Sequence, residues 1–138
     1  FFSSKSTFFS YNLNTGQNNW RQKVSSVGVP IIDGKNIFVV TKNGFFVILE
    51  KDTGKIVSSV NILKILKKKQ QTTRITGFIM GSGKIYSVTS NGYLIVSSPI
   101  SGKVESFKKI GDPVISSPII NNGNLYILTK NSRILGFN

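Results

Sequence analysis

Glycine-containing turn signals recur along this sequence, and their spacing constrains the fold more than any other feature. Gly34 to Gly44 spans 10 residues, Gly44 to Gly54 spans another 10, and whole repeats run 49 and then 40 residues. A strand with its hairpin fits such an interval, whereas an intervening helix does not. The chain is therefore a tandem repeat of antiparallel strands. Its turn signals are Asp33-Gly34, Ser82-Gly83 and Asn122-Gly123 before one strand, Asn43-Gly44, Asn91-Gly92 and a degraded Asn131-Ser132 after it, and Thr15-Gly16, Thr53-Gly54 and Ser101-Gly102 after the next.

The repeat predicts an all-β fold, namely a partial β-propeller of four-stranded antiparallel blades. Apolar runs such as Ile37–Val40 and Leu125–Leu128 are typical of strands buried between two sheets, and the more polar run after each Thr-Gly is typical of an outer strand. A repeat of about 40 residues with four strands is the signature of a propeller blade. A β-sandwich is the alternative, but sandwiches do not repeat their turns this faithfully.

The turn signals divide the single partial propeller, residues 1–138, into five parts. Residues 1–24 end one blade, 25–62 and 75–110 form two blades, 63–74 form an insertion between them, and 111–138 form a last blade that lacks its outer strand. The first part is expected to supply only the last two strands of its blade. About three and a quarter blades are too few to close a ring. We therefore expect this chain to be the C-terminal part of a longer propeller.

The residue types that the sequence lacks exclude several kinds of chemistry. There is no Cys and no His, which rules out thiolate catalysis, disulfides, zinc sites and histidine-based triads. Gly81-Ser82-Gly83-Lys84 is not a Walker loop, because Phe78 and Ile85 occupy the positions that need Gly and Ser or Thr. We predict no catalytic, cofactor-binding or metal-binding residues, because the few acids fall mostly at turns: Asp33, Glu50, Asp52, Glu105 and Asp112.

Several segments resemble the quinoprotein-type (PQQ-like) propeller repeat family. Thr15-Gly16 followed by Trp20 is similar to that family's Thr-Gly-x-x-x-Trp motif. Ser117-Pro118, then Gly123 and then Leu125–Leu128 are similar to its blade pattern. The resemblance covers nearly the whole chain, and its motifs indicate the fold more strongly than the function.

The sequence departs from the family pattern in two ways. In the family the motif tryptophan docks between blades, but Ser58 and Ser106 stand at the equivalent places of the later copies. We expect those contacts between blades to be weaker or to be filled differently, with Phe107 as the candidate. Asn131-Ser132 is expected to break the Asn-Gly turn of the last blade.

The resemblance implies one of two functional classes. One class contains large quinone-dependent dehydrogenases; the other contains non-enzymatic binding scaffolds, among them the lipoprotein that assists outer-membrane β-barrel assembly (BamB-like). The short repeats favour the scaffold class, at the periplasmic face of the outer membrane of a Gram-negative bacterium. Its partners would be the barrel-assembly protein and the missing N-terminal blades or a second copy, with a lipid anchor upstream. The alternatives are a fragment of a PQQ-dependent dehydrogenase whose active site lies outside this chain, and an interaction propeller of another compartment.

The insertion at residues 63–74, which we call the basic segment, holds the candidate partner-binding residues. Its first half is apolar, and its cations are Lys64, Lys67, Lys68, Lys69 and Arg74. One interpretation is a solvated connector whose charge aids solubility. The other is a docking loop for an acidic protein surface or for anionic headgroups, since loops on a rigid scaffold often carry recognition.

The formal net charge of +13 also raises the question of nucleic acid. Lysines are spread through every blade, whereas arginine, the main base-reading residue, occurs only at positions 21, 74 and 133. No nucleic-acid-binding module is recognisable. We therefore do not predict nucleic acid as a partner.

Overall fold

The structure, a computed structural model, describes residues 2–3 and 7–138, which form four antiparallel sheets. The first sheet contains β1 (Phe2–Ser3), β2 (Phe8–Tyr11) and β3 (Asn18–Gln22). The second contains β4 (Ile31–Asp33), β5 (Asn36–Val40), β6 (Phe45–Glu50) and β7 (Ile56–Asn61). The third contains β8 (Ile75–Gly81), β9 (Lys84–Thr89), β10 (Tyr93–Ser97) and β11 (Val104–Lys109). The fourth contains β12 (Ile119–Asn121), β13 (Asn124–Leu128) and β14 (Ile134–Phe137), and a 3-10 helix, Ile62–Thr72, separates the second sheet from the third.

Every sheet follows the order of the chain, so each strand pairs with its neighbour in sequence. This is the predicted architecture of four-stranded blades, and among the described residues the sheets do not close into a ring. The first sheet has one strand more than expected, because β1 pairs with β2 through Phe2 and Phe9. Two residues are too short a run to show any periodicity, which is why the sequence did not indicate β1.

The hydrophobic core lies between the sheets. One cluster joins the first two sheets around Phe8 and Leu49, and another joins the third and fourth around Val88 and Ile127. The largest cluster lies between the second and third sheets and includes side chains of the 3-10 helix. The middle strands β5, β6, β9 and β10 are therefore mostly buried. The outer strands β7 and β11 are mostly exposed, as the sequence predicted.

The turns repeat in conformation as well as in sequence. Gly16, Gly54 and Gly102 have φ between 70° and 74°, and each closes the hairpin next to a β-bulge. The expectation that Asn131-Ser132 breaks the last turn was wrong. Ser132 adopts φ 59°, and its N–H donates to the carbonyl of Thr129 at 3.1 Å, as Gly92 does to Thr89 in the preceding sheet.

Trp20 joins the first sheet to the second, which confirms the interblade docking that the resemblance implied. Its indole Nε1 donates to the carbonyl oxygen of Lys51 at 2.9 Å, and its ring centroid lies 5.8 Å from that of Phe8. A Cβ atom at Gly54 would overlap the indole ring. Because Gly54 has no side chain, its backbone forms a flat surface against which the indole ring of Trp20 packs.

The second interface is filled differently, as the loss of tryptophan predicted. Ser58 Oγ donates to the carbonyl oxygen of Ser101 at 3.4 Å. Val60 and Phe46 approach the site where a Cβ of Gly102 would lie, at 3.3 and 3.7 Å. Aliphatic and aromatic side chains of the preceding sheet thus cover the glycine that tryptophan covers in the first interface.

In the third interface the place equivalent to that of the tryptophan stays open, and the prediction that Phe107 fills it was wrong. Ser106 lines a pocket of about 280 Å³ between the third and fourth sheets, together with Leu94 and Phe137. Phe107 points to the opposite face of β11, because neighbouring residues of a strand alternate in direction. Its ring centroid lies 6.4 Å from that of Tyr93, within the same sheet.

Antiparallel strand order places the loops at two opposite ends of the molecule. The end that we call the connector face carries the segments between sheets and the middle hairpins of the last three sheets. The other end, the turn face, carries the hairpins at residues 12–17, 33–35, 50–55, 82–84, 98–105 and 122–123. The connector face comprises residues 23–30, 41–44, 62–74, 90–92, 109–118 and 130–133.

Candidate functional site

The basic segment lies on the connector face and folds as an irregular 3-10 helix. Asn61 caps its start, because its side-chain oxygen accepts from the backbone N–H of Leu63 at 3.0 Å. Lys67 interrupts the helix with φ 53° and ψ −119°. That conformation is strained for a residue with a side chain, and it divides the helix into two short turns.

Three apolar side chains, two in the basic segment and one directly before it, anchor the segment in the core between the second and third sheets. Ile62, Leu63 and Leu66 are 0%, 1% and 8% exposed. Leu63 packs directly over Gly44, where a Cβ atom would overlap it. The segment is therefore part of the interface between the two sheets. Its cations extend from a backbone that this packing holds in place.

A buried hydrogen-bond network fixes the end of the segment to the third sheet. Thr73 Oγ1 donates to the carbonyl oxygen of Lys69 at 2.6 Å and accepts from Asn91 Nδ2 at 2.7 Å. Asn91 Oδ1 accepts from the hydroxyl of Thr89 at 2.8 Å, and that hydroxyl accepts from the backbone N–H of Tyr93 at 2.9 Å. Linked bonds of this kind hold the segment against the Asn-Gly turn.

The structure brings the five predicted partner-binding residues onto one segment but gives them different surroundings. Lys64, Lys67 and Lys68 have exposed side chains. Lys69 Nζ donates to the hydroxyl of Tyr93 at 3.0 Å. Arg74 Nη1 donates to the carbonyl oxygens at positions 71 and 73, at 2.8 and 2.9 Å. All five side chains are exposed to solvent, but Lys69 and Arg74 also hold the segment in place.

The contact between Lys69 and Tyr93 changes the acidity of the phenol. The hydrogen bond from the Lys69 ammonium group lowers the pKa of Tyr93 below its ordinary value, and the charges of Lys69 and Lys109 lower it further. Burial acts in the opposite direction but does not prevail. The shift has the sign expected for a phenol next to cations.

The acids do not form a metal-binding cluster within the described part of the chain, residues 2–3 and 7–138. Asp33 ends β4 and Asp52 lies in the turn after β6, in the turn positions that the sequence indicated. Glu105 pairs with Lys84 at 2.6 Å, and Asp112 pairs with Arg133 at 3.1 Å.

No helix of the described residues is both long enough and apolar enough to cross a membrane.

Comparison with known proteins was made for both the sequence and the structure. Residues 1–60 match the profile of a protein family described as outer membrane protein assembly factor BamB. This part of the chain is therefore similar to the BamB repeats. Curated protein sequences yield no significant match.

The structure is similar to solved propellers over nearly its whole length. BamB from Moraxella catarrhalis matches 96% of this chain with 15% identity and a TM-score of 0.71. Sqt1 from Saccharomyces cerevisiae matches 96% with 15% identity and a TM-score of 0.75, and the Cps50 (Swd1) β-propeller domain from Myceliophteria thermophila matches 95% with 10% identity and a TM-score of 0.72. The chain spans 40% of the BamB chain, 39% of Sqt1 and 45% of Cps50. At these identities the likeness shows the fold, a partial β-propeller.

Sequence reasoning located the basic segment but missed the residues that support it. Asn91 was interpreted only as a turn residue, although its side chain also bonds to Thr73. Tyr93 belongs to an apolar strand, a pattern that indicates core packing, and its hydroxyl also accepts from Lys69. Neither contact has a local signal, because the partners lie 18 and 24 residues apart.

Proposed function

We propose that this chain is part of a non-enzymatic protein-interaction scaffold of the bacterial envelope that assists the assembly of outer-membrane β-barrel proteins. It acts at the periplasmic face of the outer membrane. The match of residues 1–60 to the BamB family and the BamB-like fold support this proposal. The observation that carries the mechanism is a basic segment anchored rigidly on one face of the propeller.

The basic segment supplies the docking surface in this proposal. Lys64, Lys67 and Lys68 project from a backbone that the core and the Thr73 network already hold in place. A preorganised loop loses little conformational entropy on binding. Its charge fits an acidic protein surface, and attraction between opposite charges accelerates association and weakens as salt is added.

The outer edge of the last sheet supplies a second contact. Among the described residues, β14 pairs only with β13, so its other edge offers free backbone N–H and C=O groups. An added strand would satisfy them by the pairing that strands use elsewhere in the sheet. That strand comes from the missing blades, from a second copy of this chain or from a partner.

Affinity enrichment tests the proposal. The tagged chain is incubated with solubilised outer-membrane extract of a Gram-negative bacterium, and captured proteins are quantified by mass spectrometry. The barrel-assembly protein should be enriched over an unrelated propeller of equal net charge. Equal recovery on both baits would overturn the proposal.

A matched pair of variants separates the basic segment from general charge. Replacing Lys64, Lys67 and Lys68 with Glu should reduce recovery of the barrel-assembly protein by about tenfold, because it reverses the charge that attracts an acidic surface. A tenfold change corresponds to about 1.4 kcal/mol of binding free energy. Replacing Lys35, Lys55 and Lys103 on the turn face with Glu makes the same change in net charge and should leave recovery unchanged.

A further inference from the structure

Charge is distributed unevenly between the two faces of the molecule. The connector face carries the five cations of the basic segment and five more, Lys23, Lys42, Lys109, Lys130 and Arg133. Among the described residues its acid is Asp112. The turn face has almost equal numbers of positive and negative charges. Its five cations are Lys35, Lys51, Lys55, Lys84 and Lys103, and its four acids are Asp33, Glu50, Asp52 and Glu105.

The acid of the connector face offsets one of its ten cations. Asp112 Oδ2 accepts from Arg133 Nη1 at 3.1 Å, and its other carboxylate oxygen accepts from Asn131 Nδ2 at 3.3 Å. This carboxylate is therefore committed to one arginine. The lysines of the face keep their full charge and produce a positive field on that side of the molecule.

The connector face is one continuous surface that extends across three sheets. Leu63 links the basic segment to the Asn-Gly turn of the second sheet at Gly44, and Lys69 links it to the third sheet at Tyr93. The turn of the third sheet at Gly92 lies against the backbone of Asp112, which in turn bonds to the fourth sheet. The cations are thus held in fixed relative positions by packed loops.

We propose that the connector face binds an anionic lipid bilayer, an activity that goes beyond the protein-docking role proposed above. A face assembled from the loops of several neighbouring blades presents its cations together to a negatively charged layer. Each lysine near such a layer contributes on the order of 1 kcal/mol to binding, so their effects accumulate. The molecule would lie with its connector face toward the headgroups and its turn face away.

Exposed apolar side chains occur on both faces, since Leu13 and Ile100 on the turn face are 97% and 91% exposed, so the cations distinguish the connector face. The apolar side chains of the connector face are compatible with a bilayer partner. Val29 is 84% exposed, Ile115 is 57% exposed and Ile65 in the basic segment is 38% exposed. Apolar side chains among lysines enter the boundary between headgroups and acyl chains, which adds affinity to the electrostatic attraction.

The kind of cation favours a lipid surface over nucleic acid. Arginine recognises phosphate with a fixed pair of donors, whereas lysine acts as a point charge that tolerates mobile acceptors. Eight of the ten connector-face cations are lysine, and both arginines, Arg74 and Arg133, already bond within the chain. A fluid layer of headgroups needs no fixed donor geometry.

Vesicle binding tests the inference with two variants of equal net charge. One variant replaces Lys23, Lys42, Lys109 and Lys130 on the connector face with Gln, and the other replaces Lys35, Lys51, Lys55 and Lys103 on the turn face. Circular dichroism and thermal unfolding confirm that both are folded. Binding is measured by co-sedimentation with phosphatidylcholine vesicles that contain or lack phosphatidylglycerol.

The expected result is binding that requires phosphatidylglycerol and weakens with added salt. The connector-face variant should bind at least about tenfold more weakly, and the turn-face variant should bind within about twofold of the original chain. Equal losses in both variants would mean that only net charge matters and would overturn the proposal. Binding without phosphatidylglycerol, or retention of nucleic acid or an acidic protein but not of vesicles, would overturn it as well. Because the vesicles contain no protein, a failure to bind vesicles would not contradict the scaffold proposal, which affinity enrichment tests separately.

Discussion

At the scale of single residues, the turn between β13 and β14 keeps the conformation of the equivalent turns, although it has serine in place of glycine. Ser132 adopts φ 59° where the two preceding sheets have Gly44 and Gly92, at 91° and 80°. A side chain in this left-handed region costs about 1 kcal/mol relative to glycine. We expect Ser132→Gly to raise the free energy of unfolding by about that amount, as measured by urea denaturation. A loss of stability would contradict the left-handed turn.

Trp20 should contribute more to stability than any other side chain of the first sheet. It combines burial between two sheets with an indole hydrogen bond to Lys51. Trp20→Ala should lower the free energy of unfolding by about 3–5 kcal/mol, the usual cost of removing a large buried ring. Trp20→Phe keeps most of the packing and should cost less, with about 1 kcal/mol of that loss due to the hydrogen bond. No loss of stability in Trp20→Phe would refute a stabilising hydrogen bond, and equal losses in the two variants would refute a contribution from packing.

The acidity of Tyr93 reports directly on the position of Lys69. A folded pKa below the unfolded value means that the phenolate is favoured in the folded state. The resulting stabilisation is present above the unfolded pKa and is lost as the pH falls through the lowered folded pKa. In an ultraviolet titration of phenolate, Lys69→Met should move the first tyrosine transition to higher pH, and Tyr93→Phe should remove it. An unchanged titration in Lys69→Met would place Lys69 away from the phenol.

At the scale of elements, the basic segment is the least regular part of the chain and yet is well anchored. Leu63→Ala should lower the free energy of unfolding by about 2–5 kcal/mol, because it leaves a cavity over Gly44. Ile65→Ala removes a side chain that is 38% exposed and should cost less than about 1 kcal/mol. Urea denaturation of the two variants measures the difference. Similar small losses would indicate a segment that does not pack against the sheets.

The strands and hairpins could be predicted because their signals are local. Gly54 and Gly102 close turns whose backbone requires φ above 70°, and alternation along β11 follows from strand geometry alone. The conformation of the basic segment could not be predicted, since it depends on Thr73 reaching Asn91 in another hairpin. The error over Phe107 had a different cause: the expectation considered its size and ignored the face on which it lies.

At the scale of the whole molecule, the repeated strand order determines at which end of the molecule each charged loop lies. Each loop taken alone has an ordinary composition, and the four acids of the turn face lie far apart in sequence, from Asp33 to Glu105. Antiparallel strand order gathers them at one end and leaves most unpaired lysines at the other. The net charge and the basic segment could therefore be predicted from the sequence. The difference in charge between the two faces depends on how the strands assemble, and it could not be predicted from any one segment.

The docking role of the basic segment is the central claim, and a direct titration tests it. The labelled chain would be titrated with the purified periplasmic domains of a barrel-assembly protein, at low and at high salt. The account predicts that Lys64, Lys67 and Lys68→Glu weakens binding by at least about tenfold at low salt, that Lys35, Lys55 and Lys103→Glu does not, and that the difference shrinks at high salt. Equal affinity for the original chain and both variants, or no binding at any salt concentration, would contradict it.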